Sequence, residues 1–313
     1  MKLEGIHHIT AITADAPGNV EFYAGVLGLR LVKKSVNQDD PSVYHLFYGD
    51  EEGSPGADLT FFEYPAIARG RAGAGMVHRI VWRVASGEAL DFWQERLLAA
   101  GTPARRANDS LLFADPEGLE HELLISSSAD PPLRARTPQI DGENALMGFE
   151  GVRAYDGDPA RSAGLLRDTL GFSGGDASGR WEVRGAERGS FYAYDAPPGT
   201  EAIQGAGSVH HVAFACRPEE QAEWRARVAA AGVRPTEVID RFYFRSIYFR
   251  EPSGVLFEIA TIGPGFAVDE DEAHLGEHLS LPPRLEPLRD RLESTLTPLP
   301  NPRLALESQS PRG

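Results

Sequence analysis

What the chain lacks narrows the field first. A single cysteine among 313 residues, Cys216, excludes an intramolecular disulfide and fits a reducing compartment. In the apolar run Val212–Cys216 it reads as a small buried hydrophobe, not a reactive thiol. No window approaches the roughly 20 apolar residues that cross a bilayer. Charge and two histidines within the first eight residues leave no apolar leader segment. Positive charge is scarce: 31 Lys and Arg stand against 46 Asp and Glu, a formal net charge of −15. Such a surface argues against phosphate-backbone and anionic-lipid partners. The expectation is a cytoplasmic protein acting on a small molecule, with neither nucleic acid nor membrane as partner. Walker-type loops, GxSxG elbows and HExxH helices are also missing. Gly53-Ser54-Pro55-Gly56 and Ser173-Gly174-Gly175 read as turns.

What is present is self-similarity. Residues 5–13 read as a strand, broken by Asp15-Ala16-Pro17-Gly18. Val20, Tyr23, Val26 and Leu27 then recur at helical spacing before Gly28. Leu29–Val36, Ser42–Tyr48 and Ala57–Tyr64 follow as strands between turn-rich runs. This βαβββ unit recurs from Met76, Gly148 and Val209, with helices expected over Glu88–Ala100, Pro159–Leu170 and Pro218–Ala231. Thr169-Leu170-Gly171-Phe172 echoes Val26-Leu27-Gly28-Leu29, and the run from Trp224 to Gly232 echoes that from Trp93 to Gly101. A two-module half has therefore been duplicated. The expected fold is α+β: four βαβββ modules in two tandem domains, residues 1–130 and 147–262, joined by a linker, 131–146. A tail, 263–313, would pack over the body with a short helix around Leu285–Leu296.

Two His-His pairs stand out, His7-His8 in the first module and His210-His211 in the fourth. Side chains alternate faces along a strand. His8 therefore shares a face with Thr10, His211 with Ala213 and Ala215, and Glu258 with Leu256 and Ala260. The opposite faces carry Ile9, Val212, Phe214, Phe257 and Ile259 and belong to a core. A mid-strand carboxylate is costly to bury unless paired or metal-bound. The repeat supplies an internal control. Arg79 and Glu122 occupy the positions of His211 and Glu258 and read as an ion pair; Gly151 occupies the position of His8 and cannot coordinate. One metal site per chain follows, built from His8, His211 and Glu258 across the two halves. Two imidazoles and a carboxylate with open positions form the facial set of non-haem Fe(II) oxygenases, although zinc can use the same donors. Trp93 and Trp224 read as core, and His45 and His78 as structural. His121, His274 and His278 read as surface or tail contacts, and the acidic run Asp269–Glu272 as a solvated cap.

The His7-His8-Ile9-Thr10 start, the Phe22-Tyr23…Leu27-Gly28 helix and the four modules resemble the vicinal oxygen chelate superfamily. That superfamily contains glyoxalase I, fosfomycin- and bleomycin-resistance proteins and extradiol dioxygenases. The runs Tyr44–Tyr48, Asp240–Tyr248, Leu256–Glu258 and Gly265–Glu272 are similar to the dioxygenases that open hydroquinones, and the likeness spans nearly the whole chain. The stretch before Arg241 is shorter than in the chlorinated-hydroquinone enzymes. The resemblance implies His8, His211 and Glu258 as ligands of Fe(II), with Mn(II) as the alternative. It places His7, Thr10, His210, Arg241 and Tyr248 around metal or substrate, with His210, His7 or Tyr248 moving protons. Strict alternation turns His7 to the face opposite His8, in a supporting role. The implied activity is extradiol-type cleavage of hydroquinones or related dihydroxylated aromatics, with a small aromatic substrate and O2 as partners and a homo-oligomer as the assembly. A glyoxalase-like isomerase or lyase using its metal as a Lewis acid is the first rival. It ranks lower because such sites commonly add a fourth protein ligand, which Gly151 cannot be. A non-catalytic module sequestering an aromatic toxin is the second, and would not need the ligands.

Overall fold

A computed structural model describes residues 1–175 and 179–303, so residues 304–313 of the expected tail lie outside the described residues. The first module is β1 (Ile6–Thr13), α1 (Ala16–Val20) widening into the turn Glu21–Val26, β2 (Arg30–Val36), β3 (Tyr44–Gly49) and β4 (Asp58–Glu63). The second is β5 (Met76–Val84), α2 (Gly87–Ala99), β6 (Ala104–Ala107), β7 (Ser110–Ala114) and β8 (Glu120–Ile125). In the third, β9 (Phe149–Tyr155) leads through the short turns Pro159–Ser162 and Leu165–Thr169 to β10 (Ser173–Gly174), β11 (Arg180–Arg184) and β12 (Gly189–Asp195). The fourth holds β13 (Ser208–Cys216), α3 (Gln221–Ala230), β14 (Ile239–Asp240), β15 (Arg245–Arg250) and β16 (Leu256–Thr261); α4 (Arg289–Thr295) lies in the tail. Local chemistry sets the helix ends. The Asp15 carboxylate and the Ser86 hydroxyl accept from the backbone N–H groups of Gly18 and Ala89. Gly28, Gly101, Gly171 and Gly232 close the four helical segments with φ of 68°, 74°, 76° and 82°, a region that L side chains avoid.

The strands form two eight-stranded sheets, ordered β14-β15-β16-β13-β1-β4-β3-β2 and β10-β11-β12-β9-β5-β8-β7-β6. Each sheet therefore joins one module from either half of the chain: first with fourth, second with third. The antiparallel β1–β13 seam brings the N-terminal histidines beside the fourth module. Ile9, Val212, Phe214, Phe257 and Ile259 enter the main apolar core together with Trp93, Trp224 and Cys216. On the opposite face of the first sheet lies a smaller cluster of Val32, Phe47, Ala213, Tyr243, Phe244 and Ala260, closed by Phe266 and Leu275 from the tail.

Two expectations are corrected here. His121 is fully buried, because β8 turns it inward to accept from Trp82 Nε1 (3.1 Å) and to bond the Tyr23 hydroxyl (3.0 Å). Acidic neighbours in sequence say nothing of the other face of a strand. The acidic run is a solvated cap only in its second half, where exposed Asp271 accepts from the Ala273 N–H at the start of the short turn Glu272–His274. Asp269 and Glu270 receive the Lys33 ammonium, Asp269 at 2.7 Å, and Lys33 is fully buried in β2. Tail residue Leu279 bridges to Lys34, so the tail also covers the β2 edge of the sheet. No helix among the described residues is long and apolar enough to cross a membrane.

Candidate metal centre

His8, His211 and Glu258 come together on the face of the first sheet opposite the main core, each at most 4% exposed. His8 Nε2 and His211 Nε2 lie 3.2 Å apart, and Glu258 Oε2 lies 3.1 Å from the first and 2.9 Å from the second. Despite these distances Oε2 accepts no properly directed hydrogen bond and stands as an orphaned buried acceptor. Removing a carboxylate oxygen from water without a partner is expensive. The arrangement fits a shared cation. The three donor atoms are near enough to one another to be shared by a single ion, a donor set that would suit a divalent transition metal. Burial alone would raise the Glu258 carboxyl, but the His8 and His211 imidazoles outweigh it and hold it well below the usual range. Ser246 donates to its other oxygen.

The flanking histidines orient the inner pair. Burial lowers His7 to about 3, so it is neutral and carries one N–H. Its Nε2 lies 3.2 Å from the Thr261 carbonyl, which can only accept, so the proton sits there and Nδ1 is an acceptor. His8 Nδ1, 3.0 Å away, must then be the donor, which fixes the ring with its Nε2 directed at Glu258 and His211. The second pair repeats the contact, with His210 Nδ1 2.8 Å from His211 Nδ1. Burial is also the first cause that lowers His210, to about 4. Strict alternation would have sent His7 to the opposite face. A bulge between Ile6 and His8 instead swings its ring to 5.0 Å from that of His8.

The two histidines of the triad open on a cavity of about 400 Å³, with Glu258 buried behind them. Thr10, Arg241, Tyr248 and His210 all line it. Tyr248 is the direct cross-strand partner of Glu258, which settles the hairpin register and puts both on one face. Its ring lies 5.7 Å from that of His211, and its hydroxyl accepts from Arg241 Nε at 3.2 Å. Burial, then Glu258, raises the phenol, so it keeps its proton. Part of the cavity wall comes from residues with no site role expected from sequence. His45, taken as structural, bonds Thr60 at 2.9 Å but also faces the cavity, beside Phe47, Phe62, Tyr64 and Phe244. Strand parity on β3 carried that signal, since His45 and Phe47 share a face. Asp58 was missed too. It is buried opposite His8, with both carboxylate oxygens unpartnered, and its donor atoms lie within 4.8 Å of those of His7 and His8.

Gly151 is not the position that could add a fourth ligand to this site. Gly151 lies on β9 of the other sheet, paired with Val81. Register gives the true equivalent: Glu258 pairs with Ala213, two beyond His211, and Thr60 pairs with Thr10, two beyond His8. Thr60 thus mirrors Glu258 in the site, and its hydroxyl is engaged by Thr10 (2.8 Å) and His45. In the second sheet the corresponding face is filled. Arg79 pairs with Glu120 (2.8 Å) and Glu122 (3.4 Å), and His78 bonds Asp195 (2.9 Å). A side chain at Gly151 would strike Phe191 within 2.5 Å.

Residues 5–123 and 148–259 match the model of the Glyoxalase/Bleomycin resistance protein/Dioxygenase superfamily. The chain is 40% identical over 326 residues to the Bacillus subtilis (strain 168) protein named "Putative ring-cleaving dioxygenase MhqA", covering 96% of this chain and 100% of that one. It is 32% identical to a chlorohydroquinone/hydroquinone 1,2-dioxygenase of Sphingobium indicum, covering 94% and 96%. A Bacillus subtilis crystal structure, described as that of a "putative dioxygenase", superposes with a TM-score of 0.89 at 38% identity, covering 96% and 98%. Maize glyoxalase I shares the fold alone, at 16% identity and a TM-score of 0.57 over 88% and 96% of the two chains.

Proposed function

Since the chain belongs to the Glyoxalase/Bleomycin resistance protein/Dioxygenase superfamily, we propose that it is an extradiol-type ring-cleaving dioxygenase acting on hydroquinones or related dihydroxylated aromatics. The observation that carries the reading is the buried triangle of His8, His211 and Glu258, whose two histidines open on an aromatic-walled cavity. These three would hold Fe(II), with Mn(II) as the alternative. When bound, the metal supplies open positions for substrate and O2 and the redox chemistry between them. Relatives named as ring-cleaving and hydroquinone dioxygenases support the substrate class. The isomerase rival loses ground because Thr60, the position mirroring Glu258, offers a hydroxyl already engaged twice.

The chain's own residues do the rest. Phe47, Phe62 and Phe244 exclude water and hold a flat ring against the imidazoles. Tyr248 keeps a proton at its Oη beside the reacting ring, and Arg241 Nε holds that oxygen in place. His210 offers Nε2, which has no protein partner among the described residues, as a second proton carrier. His7 fixes the His8 tautomer from behind.

The test is direct. Anaerobically purified protein reconstituted with Fe(II) is expected to consume O2 with a hydroquinone and to yield a ring-opened acid carrying both oxygen atoms of ¹⁸O2. An absence of O2 uptake with every dihydroxybenzene tried would sink the proposal. Tyr248→Phe is expected to lower kcat about 100-fold, the lower end of a lost acid–base group, without changing metal content. Unaltered turnover in that variant would remove the phenol from the proton path.

A further inference from the structure

Arg241 is the one guanidinium or ammonium group among the residues lining the cavity. It is not free to meet a ligand's charge. Its Nη1 and Nη2 donate to the two oxygens of Asp39, each at 2.9 Å. This fork-to-fork pairing spends its two most directional donors. Asp39 itself lines the cavity from the rim, with its side chain 69% exposed against 17% for Arg241.

The contact is built rather than incidental. Gln38 Nε2 donates to the Arg241 carbonyl at 2.7 Å, so adjacent residues of the β2–β3 connection hold both ends of the arginine. The backbone N–H of Asp39 donates to Asn37 Oδ1 at 3.0 Å, and Arg284 holds Gln38 Oε1 at 3.0 Å from the tail. The carboxylate is thus aimed at a cation about two hundred residues away, at the mouth of a cavity whose remaining wall is largely aromatic.

We propose that Asp39 sets the charge selectivity of this cavity: by occupying Arg241 it neutralises the one guanidinium or ammonium side chain among the described lining residues, so that at equal metal occupancy rings with uncharged substituents are favoured and carboxylated rings are disfavoured. The inference rests on the dihydroxyaromatic reading given above. A carboxylated ring would meet a guanidinium already spent on Asp39 and a second negative charge beside it. Such like-charge juxtaposition suppresses the wrong partner more strongly than it helps the right one. Once Asp39 is neutral, the same arginine becomes a carboxylate-binding fork.

Binding of hydroquinone and of 2,5-dihydroxybenzoate to Fe(II)-reconstituted protein, measured by anaerobic calorimetry, tests this apart from turnover. In Asp39→Asn the preference for the carboxylated ring over hydroquinone is expected to rise about tenfold or more. In Asp39→Glu, which keeps the charge, it is expected to stay within about threefold of wild type. In Asp39→Asn combined with Arg241→Gln the gain is expected to vanish, since it needs the freed guanidinium. A carboxylate that only tied down the loop would move both ligands alike. An unchanged ratio in Asp39→Asn, a gain that survives loss of Arg241, or no binding of either ring to any of the four proteins would overturn the proposal. A shifted ratio without O2 uptake would leave the selectivity standing and remove the dioxygenase reading.

Discussion

Glu258→Ala is expected to leave a folded protein that holds no metal after desalting and loses about 10³-fold or more in ring-cleaving rate. The magnitude follows from the several kcal/mol that a bound metal contributes to a reacting centre, at about 1.4 kcal/mol per tenfold. The folded state should survive because the deletion removes an orphaned, fully buried carboxylate oxygen rather than a satisfied one. Only Ser246 loses a partner outside the two imidazoles. His8→Ala and His211→Ala should also lose metal, whereas removal of His45, which bonds Thr60 on the cavity wall, should not. Metal content by mass spectrometry and thermal melting together check both halves of the expectation. Retained stoichiometric metal in Glu258→Ala would remove that residue from the ligand set.

Lys33→Ala should be strongly destabilising. The ammonium is fully buried, bonds Asp269 and Glu270, and sits 5.1 Å from the centre of the Tyr243 ring. Removing the buried ammonium leaves its counter-charges uncompensated; because Asp269 and Glu270 are partly open to solvent the cost falls below that of a fully buried pair, at roughly 2–3 kcal/mol. In a chain of this size that lowers Tm by several degrees. Lys33→Met alone should recover little, because both carboxylates remain. Adding Asp269→Asn and Glu270→Gln should restore most of the loss, since the charges are then gone together. The defect should also reach the site. Asp269 accepts from the Tyr243 hydroxyl at 3.0 Å, and Tyr243 lines the cavity, so loosening the tail weakens a wall of the pocket. Equal Tm values for wild type and Lys33→Ala would show that water reaches this pair.

The convergence of His8, His211 and Glu258 was legible in the sequence because it depends on strand parity, a local property. His8, His211 and Glu258 each sit where alternation turns them away from Ile9, Val212 and Phe257, and the register obeys. Family likeness brought in Tyr248 and Arg241, and the hairpin register then fixed the face of Tyr248. What the sequence hid was non-local. Duplication suggested two tandem halves, but nothing in a module states which other module its first strand will pair with, and the sheets join first to fourth and second to third. A single bulge undid the parity argument for His7. His121 and the acids at 269 and 270 were read by their neighbours in sequence, whereas their partners Trp82, Tyr23 and Lys33 lie at least 39 residues away. Asp58 escaped because nothing near it in sequence marks its opposition to His8, which arises only when β4 joins β1 in parallel.

The central claim is that one metal per chain sits where the first and fourth modules meet, and that the second sheet has closed its equivalent with ion pairs. Iron stoichiometry of anaerobically reconstituted wild-type protein tests it most directly. One iron per chain, lost together with O2 uptake in Glu258→Ala, is the predicted result. Two per chain, or one that remains after Glu258 is removed, would contradict it.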